Sequence, residues 1–155
     1  MSKLNDHEQK LLDMFASWEG DQFAAKRLTD AEATAFLHLV MKKHGLHGWY
    51  HDIASEVASD TPEVQLLGLC HFPTTTIYLT KTCLEKRTVP QVKDTILHEI
   101  AHALSGDAKH TEAWVAKARE LGVSSAEIER TLRDDLRDCL AANDPTSNDA
   151  TAPEV

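Results

Sequence analysis

A chain of 155 residues with 42% hydrophobic content is long enough to bury one core, and its three cysteines form no C-x-x-C pair that could build a thiolate zinc site. Acidic residues outnumber basic ones by 25 to 16, and the net charge of −9 disfavours nucleic-acid binding because phosphate repels an acidic surface. The sequence shows no signal-peptide pattern and no apolar run of membrane-spanning length, so we expect a cytoplasmic monomer without membrane contact.

Two amphipathic helices are predicted in the first third of the chain. The first runs from Asp6 to about Trp18, with apolar residues at three- and four-residue intervals. The second begins at the capping box Thr29-Asp30-Ala31-Glu32 and ends at about Lys43, just before a glycine. We expect residues 1–28 to form a helical lead to the main domain.

Three strands are predicted after these helices. Residues 48–53, 66–72 and 75–80 are short segments of β-branched and aromatic character. The polar stretch at 59–62 and Pro73 separate them. Helices on both sides of a small group of strands indicate an α+β fold.

A long helix is predicted from about Val89 to Leu104. The capping box Thr88-Val89-Pro90-Gln91 begins it, and Gly106 ends it. One face is apolar, and we expect it to lie in the core; its residues are Val89, Val92, Ile96, Ile100, Ala103 and Leu104. The histidines of His98-Glu99-Ile100-Ala101-His102 project from the roughly opposite face, which we expect to be free for a metal ion.

The spacing of these two histidines is typical of a zinc-peptidase site. Histidines at i and i+4 are about 6 Å apart along one helix face, so both imidazoles can reach one ion at about 2.0–2.1 Å. Glu99 lies about 100° around the helix axis, beside the metal and not on it. From there it can exchange a proton with water that zinc has acidified. The motif therefore predicts His98 and His102 as ligands and Glu99 as the catalytic acid/base.

A hydrolytic zinc site needs a third protein ligand, and the sequence leaves three candidates. His110 is favoured, because a chain reversal after the glycine could return it to the metal just before a helix predicted at 111–121. Glu120 on that helix is the first alternative. Asp107 is the second.

The last predicted helix follows the capping box Ser124-Ser125-Ala126-Glu127. Its apolar residues are spaced four apart, and we expect them to pack against the domain; they are Ile128, Leu132, Leu136 and Leu140. Residues 142–155 are too polar to fold independently and are predicted to be a disordered tail.

Four segments together resemble the SprT-like (SprT/Spartan) metallopeptidase family. The resemblance covers roughly residues 45–122, and the segments that carry it are Leu67-Gly68-Leu69-Cys70, Thr76-Ile77-Tyr78-Leu79-Thr80, the run from Thr95 to Ala103, and His110-Thr111-Glu112-Ala113-Trp114. It implies a zincin-like fold in residues 29–141. In that fold a small, mainly antiparallel three-stranded sheet packs on the HExxH helix, and two further helices follow.

The resemblance also implies the site and the reaction. One Zn²⁺ would be held by His98, His102 and His110, with Glu99 as the catalytic residue. The substrate would be a protein or peptide, bound as an added strand at the edge of the sheet. One departure from the family pattern is Thr111, which stands where relatives have glycine.

We therefore expect a zinc-dependent metalloendopeptidase, and two alternatives remain. The first is a non-catalytic zinc-binding adaptor or interaction domain. The second is a DNA-dependent repair protease that acts on DNA-associated proteins, since the family includes one. Basic residues between 81 and 119 could form a weak DNA-facing rim, although an ordinary solvated surface is favoured; they are Lys81, Lys86, Arg87, Lys93, Lys109, Lys117 and Arg119.

Overall fold

The computed structural model describes residues 4–55 and 67–142. It is an α+β fold, as predicted. In chain order its helices and strands are α1 (Asp6–Ser17), α2 (Asp30–Lys43), β1 (Tyr50–Ala54), β2 (Gly68–His71), β3 (Thr76–Thr80), α3 (Lys81–Lys86), α4 (Val89–Ser105), α5 (Glu112–Leu121) and α6 (Ser125–Ala142). The predicted polar connection at 59–62 and residues 143–155 of the predicted tail lie outside the described residues.

The two N-terminal helices pack against each other. Each begins with a capping box, which satisfies backbone N–H groups of its first turn. Phe15 of α1 meets Phe36 of α2 edge to face, with ring centroids 5.4 Å apart. Nζ of Lys42 lies 2.9 Å from Oε1 of Glu8. Both predicted helices are confirmed, and together they cover one side of the core.

The sheet of the described strands is mixed and not mainly antiparallel. Its order is β1-β3-β2, with β2 antiparallel and β1 parallel to β3. A short turn at Phe72–Thr74 joins β2 to β3, and such a connection permits only an antiparallel pair. The connection from β1 to β3 contains β2 and is long enough for a parallel crossover. The short turn therefore dictates the antiparallel pair, whereas the long connection only permits the parallel one.

Helix α4 lies close against β2, and Gly68 permits that approach. A Cβ atom on Gly68 would lie 3.2 Å from each of three atoms: Cγ of Glu99, Cγ2 of Thr95 and the carbonyl oxygen of Tyr78. Contacts that short would force a neighbour to move. The absence of a side chain thus lets the helix bring Glu99 directly onto the edge strand.

The opposite face of α4 is buried as well, contrary to our expectation of a face left free for metal. His98 and His102 are 9% and 5% exposed. A second apolar cluster covers this face because α5 packs on it; its buried members are Ala101, Trp114, Ala118, Val123 and Ile128. The histidines are therefore enclosed between helices.

Helix α6 departs from its predicted packing. Ile128 is buried as expected, but Leu132, Leu136 and Leu140 are 39%, 58% and 62% exposed. The helix leaves the domain surface after its first turns, so its four-residue apolar repeat is not evidence of burial along its whole length. Within residues 4–55 and 67–142, no helix combines the length and apolar character needed to cross a bilayer.

Candidate metal centre

The three predicted histidine ligands come together at one place. His98 and His102 project from α4, and His110 comes from the loop before α5. One ring nitrogen from each can be chosen so that all three lie within 4.8 Å of one another. Nε2 of His98 lies 3.1 Å from Nε2 of His110. Among the described residues this is the only such group of potential ligands.

The reversal that returns His110 to α4 is built from local contacts. Gly106 ends α4 in the left-handed conformation, with φ of 70°. The Asp107 carboxylate then accepts hydrogen bonds from the Lys109 backbone N–H and the Thr111 hydroxyl, both at 2.9 Å. Thr111 also caps α5, and its φ of −78° needs no glycine. The departure from the family pattern at Thr111 therefore supports this loop.

Each imidazole has an acceptor oxygen near its Nδ1 atom. Nδ1 of His102 lies 2.7 Å from the carbonyl oxygen of Asp107, and Nδ1 of His110 lies 2.8 Å from Oδ2 of Asp135. Nδ1 of His98 lies 3.2 Å from Oε2 of Glu127, off the direction of a well-formed hydrogen bond. Because all three partners accept hydrogen bonds, they favour the tautomer with the proton on Nδ1.

This pattern fits a metal ion. With protons on Nδ1, the Nε2 atoms of His98 and His110 present lone pairs to each other at 3.1 Å, which is unfavourable unless a cation lies between them. Two nitrogens bound tetrahedrally to zinc at about 2.05 Å would be about 3.3 Å apart, close to this separation. Outer partners that accept from Nδ1 are also the usual surroundings of metal-bound histidine.

The Trp114 side chain packs against all three imidazole rings. Its ring centroid lies 4.7 Å from those of His98 and His110 and 5.5 Å from that of His102. Its indole N–H donates to the carbonyl oxygen of His98 at 3.2 Å. The side chain is fully buried, so it links the helix that carries two histidines to the loop that carries the third.

Burial favours the neutral form of two candidate ligands, His102 and His110. Desolvation and, to a smaller extent, the neighbouring His98 and His110 lower the pKa of His102 to about 4, against the opposing effect of Asp107. Desolvation also lowers the pKa of His110, although Asp135 opposes it. Neutral imidazole is the form that binds metal, and near neutral pH these two side chains need lose no proton to do so.

Glu99 lies beside the histidines on the sheet side of α4. Its side chain is buried, and desolvation raises its pKa, while His98 and a hydrogen bond from the Cys70 backbone N–H act in the opposite direction. A buried carboxyl group with a raised pKa beside a potential metal site is a candidate for proton transfer.

The other two candidates for the third ligand are engaged elsewhere. Glu120 is exposed and lies 2.7 Å from Nζ of Lys117, and the salt bridge lowers its pKa. The Asp107 carboxylate stays within its own loop. Asp107 contributes instead through its backbone carbonyl, which accepts from His102.

Glu127 is the functional candidate that sequence reasoning missed. Its place in a Ser-x-x-Glu pattern predicts a capping box, but Asp94 accepts the Ser124 backbone N–H at 3.0 Å instead. The Glu127 side chain turns inward towards His98 and accepts hydrogen bonds from Arg130 at 2.8 and 3.3 Å. Burial raises its pKa, but His98 and Arg130 outweigh burial and lower it to about 2. The sequence carries no signal for this use of the residue.

The two buried cysteines, Cys70 and Cys83, have unreactive thiol groups. Desolvation raises the pKa of Cys70 to about 12 and that of Cys83 to about 11. Since the thiolate is the form that reacts and binds metal, both side chains act as small core residues.

The α+β fold and the enclosed three-histidine cluster define a domain that could hold a metal ion on an HExxH helix. The sequence model of the SprT-like family matches residues 55–134, which is more than half of the chain. The chain belongs to the SprT-like family, and membership suggests a metallopeptidase-like domain. No curated protein and no solved structure matches the chain significantly.

Proposed function

We propose that this chain is a zinc-dependent metalloendopeptidase that hydrolyses protein or peptide bonds. The observation that carries the proposal is the convergence of His98, His102 and His110 beside the buried carboxyl group of Glu99. Three imidazole ligands would leave a fourth tetrahedral position for water, which is the arrangement of a catalytic zinc site and not of a closed structural one.

In this proposal the three histidines hold one Zn²⁺. Bound there, the ion would acidify water and polarise the scissile carbonyl group. Glu99 accepts the proton of the attacking water on its carboxylate and later gives it to the leaving amine. Its raised pKa favours the first transfer, because a carboxylate of higher pKa is the stronger base, and the Cys70 backbone N–H fixes the position of the carboxyl group during both.

We propose β2 as the strand that binds substrate. It is an edge strand in the sheet of the described residues, whereas β3 lies in the centre. Glu99 touches it at both Gly68 and Cys70. A peptide added along this edge would bring its own backbone next to the catalytic carboxyl group. We therefore expect the enzyme to recognise the extended backbone of its substrate, which unfolded polypeptides can present.

The basic residues near the site give little support to a DNA-dependent version. Arg87 contacts the Gln91 carbonyl oxygen and lies 3.9 Å from Glu127. Lys93 is buried and donates to the Phe15 carbonyl oxygen at 2.6 Å. Lys117 is paired with Glu120. Since intramolecular partners already hold these cations, a phosphate-binding rim would have to rely on the remaining ones.

Cleavage of an unfolded protein by the purified chain tests the proposal. We expect turnover that a chelator abolishes and Zn²⁺ restores. Glu99→Gln should lower turnover by about 10²-fold or more, because the proton acceptor is lost, while zinc content stays at the level of the unmodified chain. Single-stranded DNA at low salt should leave the rate unchanged.

The outcomes separate the alternatives. Turnover retained in Glu99→Gln would contradict the mechanism. Zinc binding without any cleavage would favour the adaptor. Stimulation by single-stranded DNA that fades steeply as salt rises would favour the DNA-dependent protease.

A further inference from the structure

We infer that α6 is part of the metal centre, and that Glu127 and Asp135 on this helix are the outer carboxylates that orient His98 and His110. The inference rests on the proposed function, since it assumes that these histidines bind zinc. It adds two positioning residues that the HExxH motif does not contain. Asp135 also lies just beyond residues 55–134, the part of the chain that matches the family model.

Asp135 is the clearer case because its contact has good geometry. Oδ2 lies 2.8 Å from Nδ1 of His110. A carboxylate only accepts hydrogen bonds, so the contact holds the proton on Nδ1 and leaves the Nε2 lone pair for the metal. His110 projects from a loop and not from a helix, so it depends more than the other two histidines on a partner that fixes its ring.

Glu127 approaches Nδ1 of His98 from a buried position, although this contact is less well aligned than that of Asp135 with His110. Its carboxylate is 7% exposed and lies 3.2 Å from Nδ1 of His98. Arg130 holds the carboxylate in place from one turn further along α6, and Arg87 lies 3.9 Å away. These contacts hold the carboxylate at the back of the site, which is the usual place of an outer carboxylate that orients a metal-bound histidine.

One consequence is coupling between metal binding and the packing of α6. The far part of this helix exposes its leucines, so apolar burial does little to hold residues around Asp135 in place. The His110–Asp135 contact therefore supplies part of that attachment. Because coupling between two events is reciprocal, zinc that orders His110 should also hold α6 more firmly.

Zinc affinity of the full chain, measured by competition with a chromophoric chelator, tests the inference. Asp135→Ala should weaken binding by about 10- to 100-fold, the usual effect of losing an outer partner. The zinc affinity of Asp135→Asn should lie between those of the unmodified chain and Asp135→Ala, because the amide oxygen can still accept the hydrogen bond. Asp138→Ala is the matched control: it removes the same charge from an exposed position on the same helix and should leave the affinity unchanged.

Two further measurements separate positioning from general stability. The thermal unfolding midpoint of the metal-free Asp135→Ala protein should stay close to that of Asp138→Ala, since Asp135 is half exposed and the loss of its contact loosens only the far part of α6 and not the core. Hydrogen exchange should show that zinc protects the amides of α6 near residue 135 in the unmodified chain and less so in Asp135→Ala. Glu127→Gln, which keeps the side-chain volume, should also weaken zinc binding.

Equal zinc affinities for Asp135→Ala and Asp138→Ala would overturn the inference alone, while the proposed function would stand. An unmodified chain that binds no zinc would overturn both. Unequal unfolding midpoints of the two metal-free proteins, together with equal affinities, would show that Asp135 has a structural role only.

Discussion

The two sides of the histidine cluster are held in different ways. His98 and His102 stand on consecutive turns of a 17-residue helix that is anchored on the core and the sheet. His110 stands on a loop and depends on the Asp107 turn and on an exposed carboxylate of α6. The helix therefore supplies two ligands and the catalytic carboxyl group from a rigid element, while the third ligand is assembled from tertiary contacts. Metal binding should therefore be most sensitive to substitutions around His110.

Trp114 joins the two sides, and its truncation should have the largest effect on stability. It is fully buried against all three imidazole rings. Trp114→Ala should lower the free energy of unfolding by about 3–5 kcal/mol through lost burial and the cavity left behind. Urea denaturation of the metal-free protein measures this. Trp114→Phe is the matched control and should cost less; an equal loss would mean that the indole N–H bond, and not ring packing, dominates.

The pH dependence of the free energy of unfolding tests how deeply His102 is buried. The pKa of His102 is about 4 when folded and about 6.5 when unfolded, so the unfolded chain binds more protons between these values. The stabilisation that His102 contributes in its neutral form is fully present above pH 6.5 and is lost as pH falls towards 4. The loss is at most about 3 kcal/mol for this group.

Urea denaturation of the metal-free protein across that range, compared with His102→Gln, isolates the contribution of His102. The His102→Gln variant should lose less stability on acidification than the unmodified chain. Glu99, whose pKa is raised, acts with the opposite sign and is present in both proteins. Identical pH profiles would contradict the burial of His102.

The close approach of α4 to the sheet is tested by Gly68→Ala. A Cβ atom would press on Glu99, Thr95 and the backbone of Tyr78 at 3.2 Å, and overpacking of this kind costs about 1–3 kcal/mol. Turnover should fall as well, because Glu99 must move. Unchanged stability with unchanged turnover would show that the helix can retreat freely and that Gly68 does not set the position of Glu99.

The smallest effect is expected on the outer face of α6. Leu136→Ala should change the free energy of unfolding by less than about 0.5 kcal/mol, because the side chain is already exposed. Ile128→Ala on the same helix is the matched control and should cost about 2–5 kcal/mol. Comparable losses in the two variants would mean that the far part of α6 packs more tightly than described.

The same contrast explains what the sequence could predict. Helix α4 was predictable because its cap, its glycine end and its apolar period all act locally, and the spacing of His98 and His102 follows from helix geometry. The direction of β1 was not predictable, since strand pairing depends on the path of the chain between strands. The order of helices and strands was enough to predict the fold class. The strand directions of the sheet could be predicted only with tertiary information.

The outer partners lay beyond sequence reasoning for a similar reason. Glu127 looks like an ordinary capping residue, but Asp94, which lies 30 residues before Ser124, accepts the Ser124 backbone N–H in its place. The four-residue leucine repeat of α6 predicted burial, but the domain surface ends before Leu136. Both cases depend on how α6 docks, and no local pattern encodes that docking.

X-ray absorption at the zinc edge of the purified full chain tests the central claim most directly. Our account predicts one zinc per chain, coordinated by three imidazole nitrogens at about 2.0–2.1 Å and one oxygen ligand. His110→Ala should reduce the imidazole count to two and weaken binding. Zinc well below one per chain, or a site with sulfur ligands or fewer than three imidazoles in the unmodified protein, would contradict it.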